Sequence, residues 1–295
     1  MSLFKGSGVA IITPFNQGKV DYEAFKKLVL WHIDNKTDAI IVCGTTGESA
    51  TLNDEEKLNL FKTAVLTAQG RTQIIAGTGS NNTAHSIELS KKAEKLGVDG
   101  LLLITPYYNK PTQRGMYAHF KQIAESVNIP CILYNVPGRT SINLLPETVL
   151  ELSSVKNILA IKEACGDISQ IAKVIELCPK DFIVYSGNDD QTLPILALGG
   201  LGVISVTANI IPFTIHDQVN RYLNGDKDVI KEMLDLRTLH QAMFIESNPV
   251  PAKYALKLMG LSSDEVRLPL VELEDKNKMF INDILEKYHV KGVLS

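Results

Sequence analysis

The chain has 295 residues, is 45% hydrophobic, and sets 30 basic against 33 acidic side chains for a formal charge of −3. That apolar share can bury a large core, and the near balance of charge excludes the basic excess that nucleic acid or an anionic membrane would select. Work on small molecules is the class that remains, with no nucleic acid and no membrane as partner. Cys43, Cys131, Cys165 and Cys178 lie far apart, form no CxxC pair, and read as reduced thiols of a cytoplasmic protein. The opening MSLFKGSGVAIITPF lacks the basic start and cleavage site of a signal peptide, and its apolar run is too short to span a bilayer.

Short apolar, β-branched runs follow one another along the chain: GVAIIT (8–13), AIIVC (39–43), QIIAG (73–77) and GLLLI (100–104), then CILYN (131–135), ILAIKE (158–163), FIVYS (182–186) and GVISV (202–206). Near-continuous apolarity over so few residues is the pattern of parallel strands covered on both faces. Segments of helical period separate them. In DYEAFKKLVLWHI, Tyr22, Phe25, Leu28, Val29 and Ile33 line one face behind a capping Asp21. Asn53 with Glu56, and Asp167 with Gln170, have the spacing of capping boxes. Strand and helix alternating through eight units predict an α/β fold, a (β/α)8 TIM barrel, over residues 1–225. A doubly wound sheet is the rival, but TPF follows the first strand, and GTGSNN at 77–82 lacks the third glycine of a dinucleotide fingerprint. Residues 226–295 read as helix only and form a C-terminal helical extension packed on the barrel.

A barrel of this kind works at the C-terminal ends of its strands. There stand GTTGES (44–49), TPYYNKP (105–111), YNVPGRT (134–140), Lys162 and SGNDD (186–190). Alternation puts Ile132 and Tyr134 on one face and Ala160 and Lys162 likewise, with Leu133 and Ile161 facing the helices. An ammonium over small Ala160 at the barrel axis is partly desolvated, which disfavours its charged form. A neutral amine there attacks carbonyl groups, and Tyr134 on the adjacent strand can pass the protons that imine formation moves. Singly each residue has a plainer reading: a surface lysine, a core tyrosine, a tight turn capping a helix, a solvated arginine at Arg139.

The motifs GTTGES, TPYYNKP, YNVPGRT and the lysine of IKEACGD, in this order, resemble the dihydrodipicolinate synthase (4-hydroxy-tetrahydrodipicolinate synthase) family over essentially the whole chain. That family lies in the N-acetylneuraminate lyase superfamily of class I pyruvate aldolases. The resemblance implies a lyase of lysine and diaminopimelate biosynthesis, in which Lys162 forms a Schiff base with pyruvate and no separate cofactor is used. The enamine then attacks L-aspartate 4-semialdehyde. By motif position Tyr134, Thr45 and Tyr108 would be the proton-relay residues, with Tyr108 reaching in from a neighbouring subunit. Thr46 and Thr45 would hold the pyruvate carboxylate, Arg139 the carboxylate of the aldehyde, and Ile204 would present its carbonyl. A homo-oligomer, usually a tetramer built from dimers, is implied as well.

The sugar-acid aldolases of the superfamily share the lysine and the tyrosine. GTTGE and Arg139 favour the synthase, because a guanidinium fork suits a carboxylate and a polyol needs neutral partners. A barrel that binds phosphate through GGLGV (199–203), or one that binds without turnover, remains as another class. Asp189 and Asp190 oppose a phosphate, and six histidines without HxH or HExxH spacing predict no metal. Feedback-sensitive relatives bind L-lysine near the positions of Ser49, Ala50, Asp54, Lys57, Asn81, His85 and Tyr107, and place a carboxylate where His85 stands. Weak or absent inhibition by lysine is therefore expected.

Overall fold

The computed structural model describes residues 2–290. Its strands are β1 (Gly6–Ala10), β2 (Phe15–Asn16), β3 (Lys19–Val20), β4 (Ala39–Val42), β5 (Gln73–Gly77), β6 (Gly100–Ile104), β7 (Cys131–Asn135), β8 (Ile158–Glu163), β9 (Ile183–Ser186) and β10 (Gly202–Ser205). Eight of them close a barrel in the order β1-β10-β9-β8-β7-β6-β5-β4, every pairing parallel, while β2 and β3 form a separate hairpin. Helices α1 (Tyr22–Asp34), α2 (Asp54–Ala68), α3 (Thr83–Lys95), α4 (Gln113–Glu125), α5 (Pro137–Thr140), α6 (Pro146–Ser153), α7 (Ile168–Leu177), α8 (Thr192–Leu198) and α9 (Pro212–Leu223) connect the strands. Beyond them come α10 (Val229–Asp235), α11 (Arg237–Ala242), α12 (Val250–Leu258) and α13 (Asp275–Lys287). The last five residues of the expected extension, 291–295, lie outside the described residues. No helix among the described residues is long and apolar enough to cross a membrane.

Alternation along the strands sorts the core into two layers. Ile41, Ile75, Leu102, Ile132, Tyr134, Ala160, Tyr185 and Ile204 fill the barrel. Ile40, Ile74, Leu103, Leu133, Ile161 and Val203 point outward into the layer shared with the helices. The floor is sealed by Tyr185, whose ring stacks on Phe4 at 4.5 Å and whose hydroxyl donates to the Phe4 carbonyl at 2.6 Å. That plug leaves the opposite rim as the open end.

Helix starts follow their caps. Asp21 accepts from the Ala24 amide at 2.9 Å, and Asn53 with Glu56 forms a complete capping box worth about 0.5–2 kcal/mol. Asp167 also caps, accepting from Ser169 and Gln170, but the Gln170 side chain does not return to it. It pairs with the Asn143 side chain instead, at 2.7 and 3.1 Å. The first strand begins and ends earlier than its apolar run predicts. Ile12, though buried, gives its amide to the Asn209 side chain at 3.2 Å and so leaves the sheet.

Candidate active site

The register of β7 on β8 sets Tyr134 directly opposite Lys162. Each side chain is 5% exposed, and the Lys162 Nζ lies 4.3 Å from the centroid of the Tyr134 ring. Ala160, one step down the same face, leaves room at the axis for the lysine stem. Gly187 beyond β9 does the same from the side: a Cβ there would stand 3.1 Å from Lys162 Cε and 2.7 Å from Ala164 Cβ. The amine is thus buried beside a phenol, with Ala160 and Gly187 leaving room for its stem.

Glu163 is not its counter-ion. The next residue on a strand points the other way, and Glu163 accepts from the Asn135 side chain at 3.0 Å outside the barrel wall. Burial there pushes its carboxyl up to about 7.

The turn after β4 supplies the next wall. In GTTGES the amides of Gly47 and Ser49 donate to the Gly44 carbonyl at 3.1 and 3.4 Å, and that of Glu48 to the Thr45 carbonyl at 3.0 Å. Gly77 allows the turn to come close, since a Cβ there would sit 2.3 Å from the Cys43 carbonyl oxygen. Thr13 Oγ1 donates to the Gly47 carbonyl at 2.7 Å, and the Asn248 amide donates to Thr46 Oγ1 at 2.9 Å. A small cavity of about 30 Å³ brings Thr45 and Tyr134 onto one lining.

Above it opens a groove of about 610 Å³, lined among others by Thr45, Arg139 and Asn248. Arg139, on α5, is exposed at the rim, and its Nη2 donates a long 3.5 Å bond to the Asn248 carbonyl. Ile204 is fully buried in β10, level with Gly8 of β1. The segment just after it is anchored by Asp189, whose carboxylate accepts from Ser205 Oγ and from the amides of Val206 and Thr207 at 2.9 and 3.2 Å. His240, held low by burial, bonds Thr207 Oγ1 at 2.9 Å.

Tyr108 stands apart. It is 90% exposed, sits in left-handed backbone at φ 71°, and makes no hydrogen bond among the described residues. Ser49, Ala50, Lys57, Asn81, His85 and Tyr107 line the same groove as Arg139. Within it His85 Nε2 lies 2.9 and 3.0 Å from the Asp54 carboxylate, and the Asn81 amide donates to the Tyr107 carbonyl at 3.2 Å. Among the described residues no three His, Cys, Asp or Glu side chains are grouped to hold a metal ion.

Three supporting residues escape a reading of the sequence: Glu48, Asn248 and Lys253. The signal for Lys253 was present in NPVPAKYALKLMG, where it is flanked by apolar residues on both sides, but an isolated helix lysine reads first as surface.

The sequence profile of the dihydrodipicolinate synthetase family matches residues 3–288. The chain is 56% identical over 290 residues to the 4-hydroxy-tetrahydrodipicolinate synthase of Thermoanaerobacter sp. (strain X514), covering 98% of each. It is 54% identical over 289 residues to 4-hydroxy-tetrahydrodipicolinate synthase 1 of Clostridium acetobutylicum, covering 98% of this chain and 99% of that one. Among solved structures, dihydrodipicolinate synthase from Aquifex aeolicus superposes with a TM-score of 0.96 at 44% identity, covering 98% of this chain and 100% of that one.

Proposed function

The chain belongs to the dihydrodipicolinate synthetase family, and on that premise we propose that it condenses pyruvate with L-aspartate 4-semialdehyde through a Schiff base on Lys162. The enzyme is a lyase of class I aldolase type, and its product, 4-hydroxy-tetrahydrodipicolinate, belongs to lysine and diaminopimelate biosynthesis. The observation that carries the reading is the buried Lys162 beside Tyr134 at the open end of the barrel, next to the GTTGES turn.

In this mechanism the neutral Lys162 amine attacks the keto carbon of pyruvate, and the carbinolamine loses water to give the imine. Loss of a methyl proton turns the imine into an enamine. Its carbon attacks the aldehyde, forming the new C–C bond while the aldehyde oxygen takes a proton. The amine of the semialdehyde then adds to the imine carbon, closes the ring and expels Lys162 as free amine. Tyr134 passes the protons, sharing the lining of the small cavity with Thr45. Thr45 and Thr46 hold the pyruvate carboxylate, with the Ile204 carbonyl near its other end. No cofactor enters this scheme, because the protonated imine formed on Lys162 is the electron sink.

Arg139 holds the carboxylate of the semialdehyde. A bond from a guanidinium to a carboxylate is worth about 1.5–3 kcal/mol, or about 10–100-fold in binding. Arg139→Ala is expected to raise KM for the semialdehyde by that factor and to leave KM for pyruvate unchanged in steady-state kinetics. Tyr108, so exposed in one chain, completes the relay from a second copy in a cytoplasmic homotetramer built from dimers. Lysine should inhibit weakly or not at all, because its ammonium would meet His85 and Lys57 in the groove and the Asp54 carboxylate is already engaged. Titrating L-lysine into the initial rate checks this, and half-inhibition at sub-millimolar lysine would contradict it.

The whole reading is tested by pyruvate consumption with L-aspartate 4-semialdehyde, run beside cleavage assays on N-acetylneuraminate and a 2-keto-3-deoxy sugar acid. Turnover with the semialdehyde alone is expected. Turnover only in the cleavage assays would transfer the chain to the sugar-acid aldolases.

A further inference from the structure

Position 253 lies on α12 between Val250, Pro251, Ala252, Tyr254, Ala255 and Leu256, all of them buried. An aliphatic side chain would suit such a place, yet a lysine stands there with its side chain fully buried. Burying an ammonium is costly unless it is paired and hydrogen-bonded, so its partners explain its presence. Lys253 Nζ lies 2.5 Å from Glu48 Oε1, donates to the Glu265 carbonyl at 2.7 Å, and sits 4.1 Å from the centroid of the Phe15 ring. Burial nevertheless pushes this lysine down to about 8, with the Glu48 and Glu265 charges opposing that shift and Arg267 adding to it.

Glu48 is the glutamate of GTTGES, 4% exposed and held in left-handed backbone at φ 53°. Its second oxygen accepts from the Arg267 amide at 3.0 Å. The Arg267 side chain is itself pinned: its guanidinium donates to both oxygens of Glu56 at 2.6 and 2.9 Å and to the Thr51 carbonyl at 2.9 Å. Both oxygens of Glu48 are therefore gripped from the segment beyond the barrel. A left-handed glutamate persists only where its surroundings over-determine it, and this pair of grips is what does so. The consequence reaches the site through one bond, from the Glu48 amide to the Thr45 carbonyl, while Thr46 is held from the same segment by Asn248.

We propose that the buried Glu48–Lys253 pair positions the GTTGES turn for pyruvate, so that the helical extension is a working part of the substrate site. The proposal rests on the reading of that turn as the pyruvate-carboxylate site. Glu48 and Lys253 act through Thr45 and Thr46 and are positioning residues.

The test is the double variant Glu48→Gln/Lys253→Met, which removes both charges while keeping similar shapes, so neither charge is left buried alone. Its melting curve should stay cooperative. A small misplacement of substrate-holding groups costs on the order of tenfold or more, so KM for pyruvate should rise at least about tenfold. KM for the semialdehyde, held at Arg139, should stay within about twofold on the same reasoning. An unchanged KM for pyruvate in the folded variant overturns the proposal, and so does an equal rise for both substrates, which would mark general loosening of the rim. Should the double variant not fold, Glu48→Asp carries the same test: it keeps a carboxylate for the Lys253 ammonium, so no charge is left buried alone, and drawing that group back by one carbon loosens its hold on the turn. Failure of the underlying reading is distinct: Thr45→Val, which removes a hydroxyl of the turn itself, would then leave KM for pyruvate unchanged.

Discussion

Lys162→Met should lower kcat by at least about 10³-fold, because removing a covalent nucleophile removes the path rather than slowing a step on it. Methionine has nearly the length and volume of the lysine stem, and the site around it is apolar and close-packed against Ala160, Gly187 and the Tyr134 ring. The variant should therefore fold and melt as the wild type does, and its loss should be confined to chemistry. Single-turnover kinetics with pyruvate and the semialdehyde give the comparison. A residual rate within about tenfold of wild type would place the nucleophile elsewhere.

Tyr134→Phe comes second in size. The ring is buried and packs inside the barrel with Ile132, Ala160 and Tyr185, and phenylalanine preserves all of that. Only the hydroxyl is lost. General acid–base catalysis by a positioned group contributes about 10²–10⁴-fold, so kcat should fall in that range with little change in thermal stability. Adduct formation with pyruvate should also slow, because carbinolamine formation and dehydration both move protons. If kcat stays within about twofold, the proton route runs through another group.

Much of this arrangement could be read in the sequence because a barrel strand carries its own coordinates. The period of two in CILYN and ILAIKE decides which residues face the axis, and parallel register does the rest, setting Tyr134 against Lys162. What stayed hidden has a common physical cause. GVAIIT overshoots the end of β1 because burial, not strand pairing, accounts for Ile12, whose amide goes to the Asn209 side chain. Gln170 has the spacing of a capping box and serves Asn143, since a local pattern cannot see a partner 27 residues away. The Glu48–Lys253 pair joins residues that only the packing of α12 brings together. The β2–β3 hairpin is absent from the expected elements, since its strands are only two residues each; its turn residues Gln17 and Gly18 adopt positive φ, 51° and 76°.

One covalent bond, between Lys162 and pyruvate, is central to this chemistry. Incubating the protein with pyruvate and borohydride, then reading intact mass and mapping the peptide, tests it most directly. The expected result is one reduced pyruvate per chain, attached at Lys162 and absent from Lys162→Met. No adduct, or an adduct on any other lysine, would contradict it.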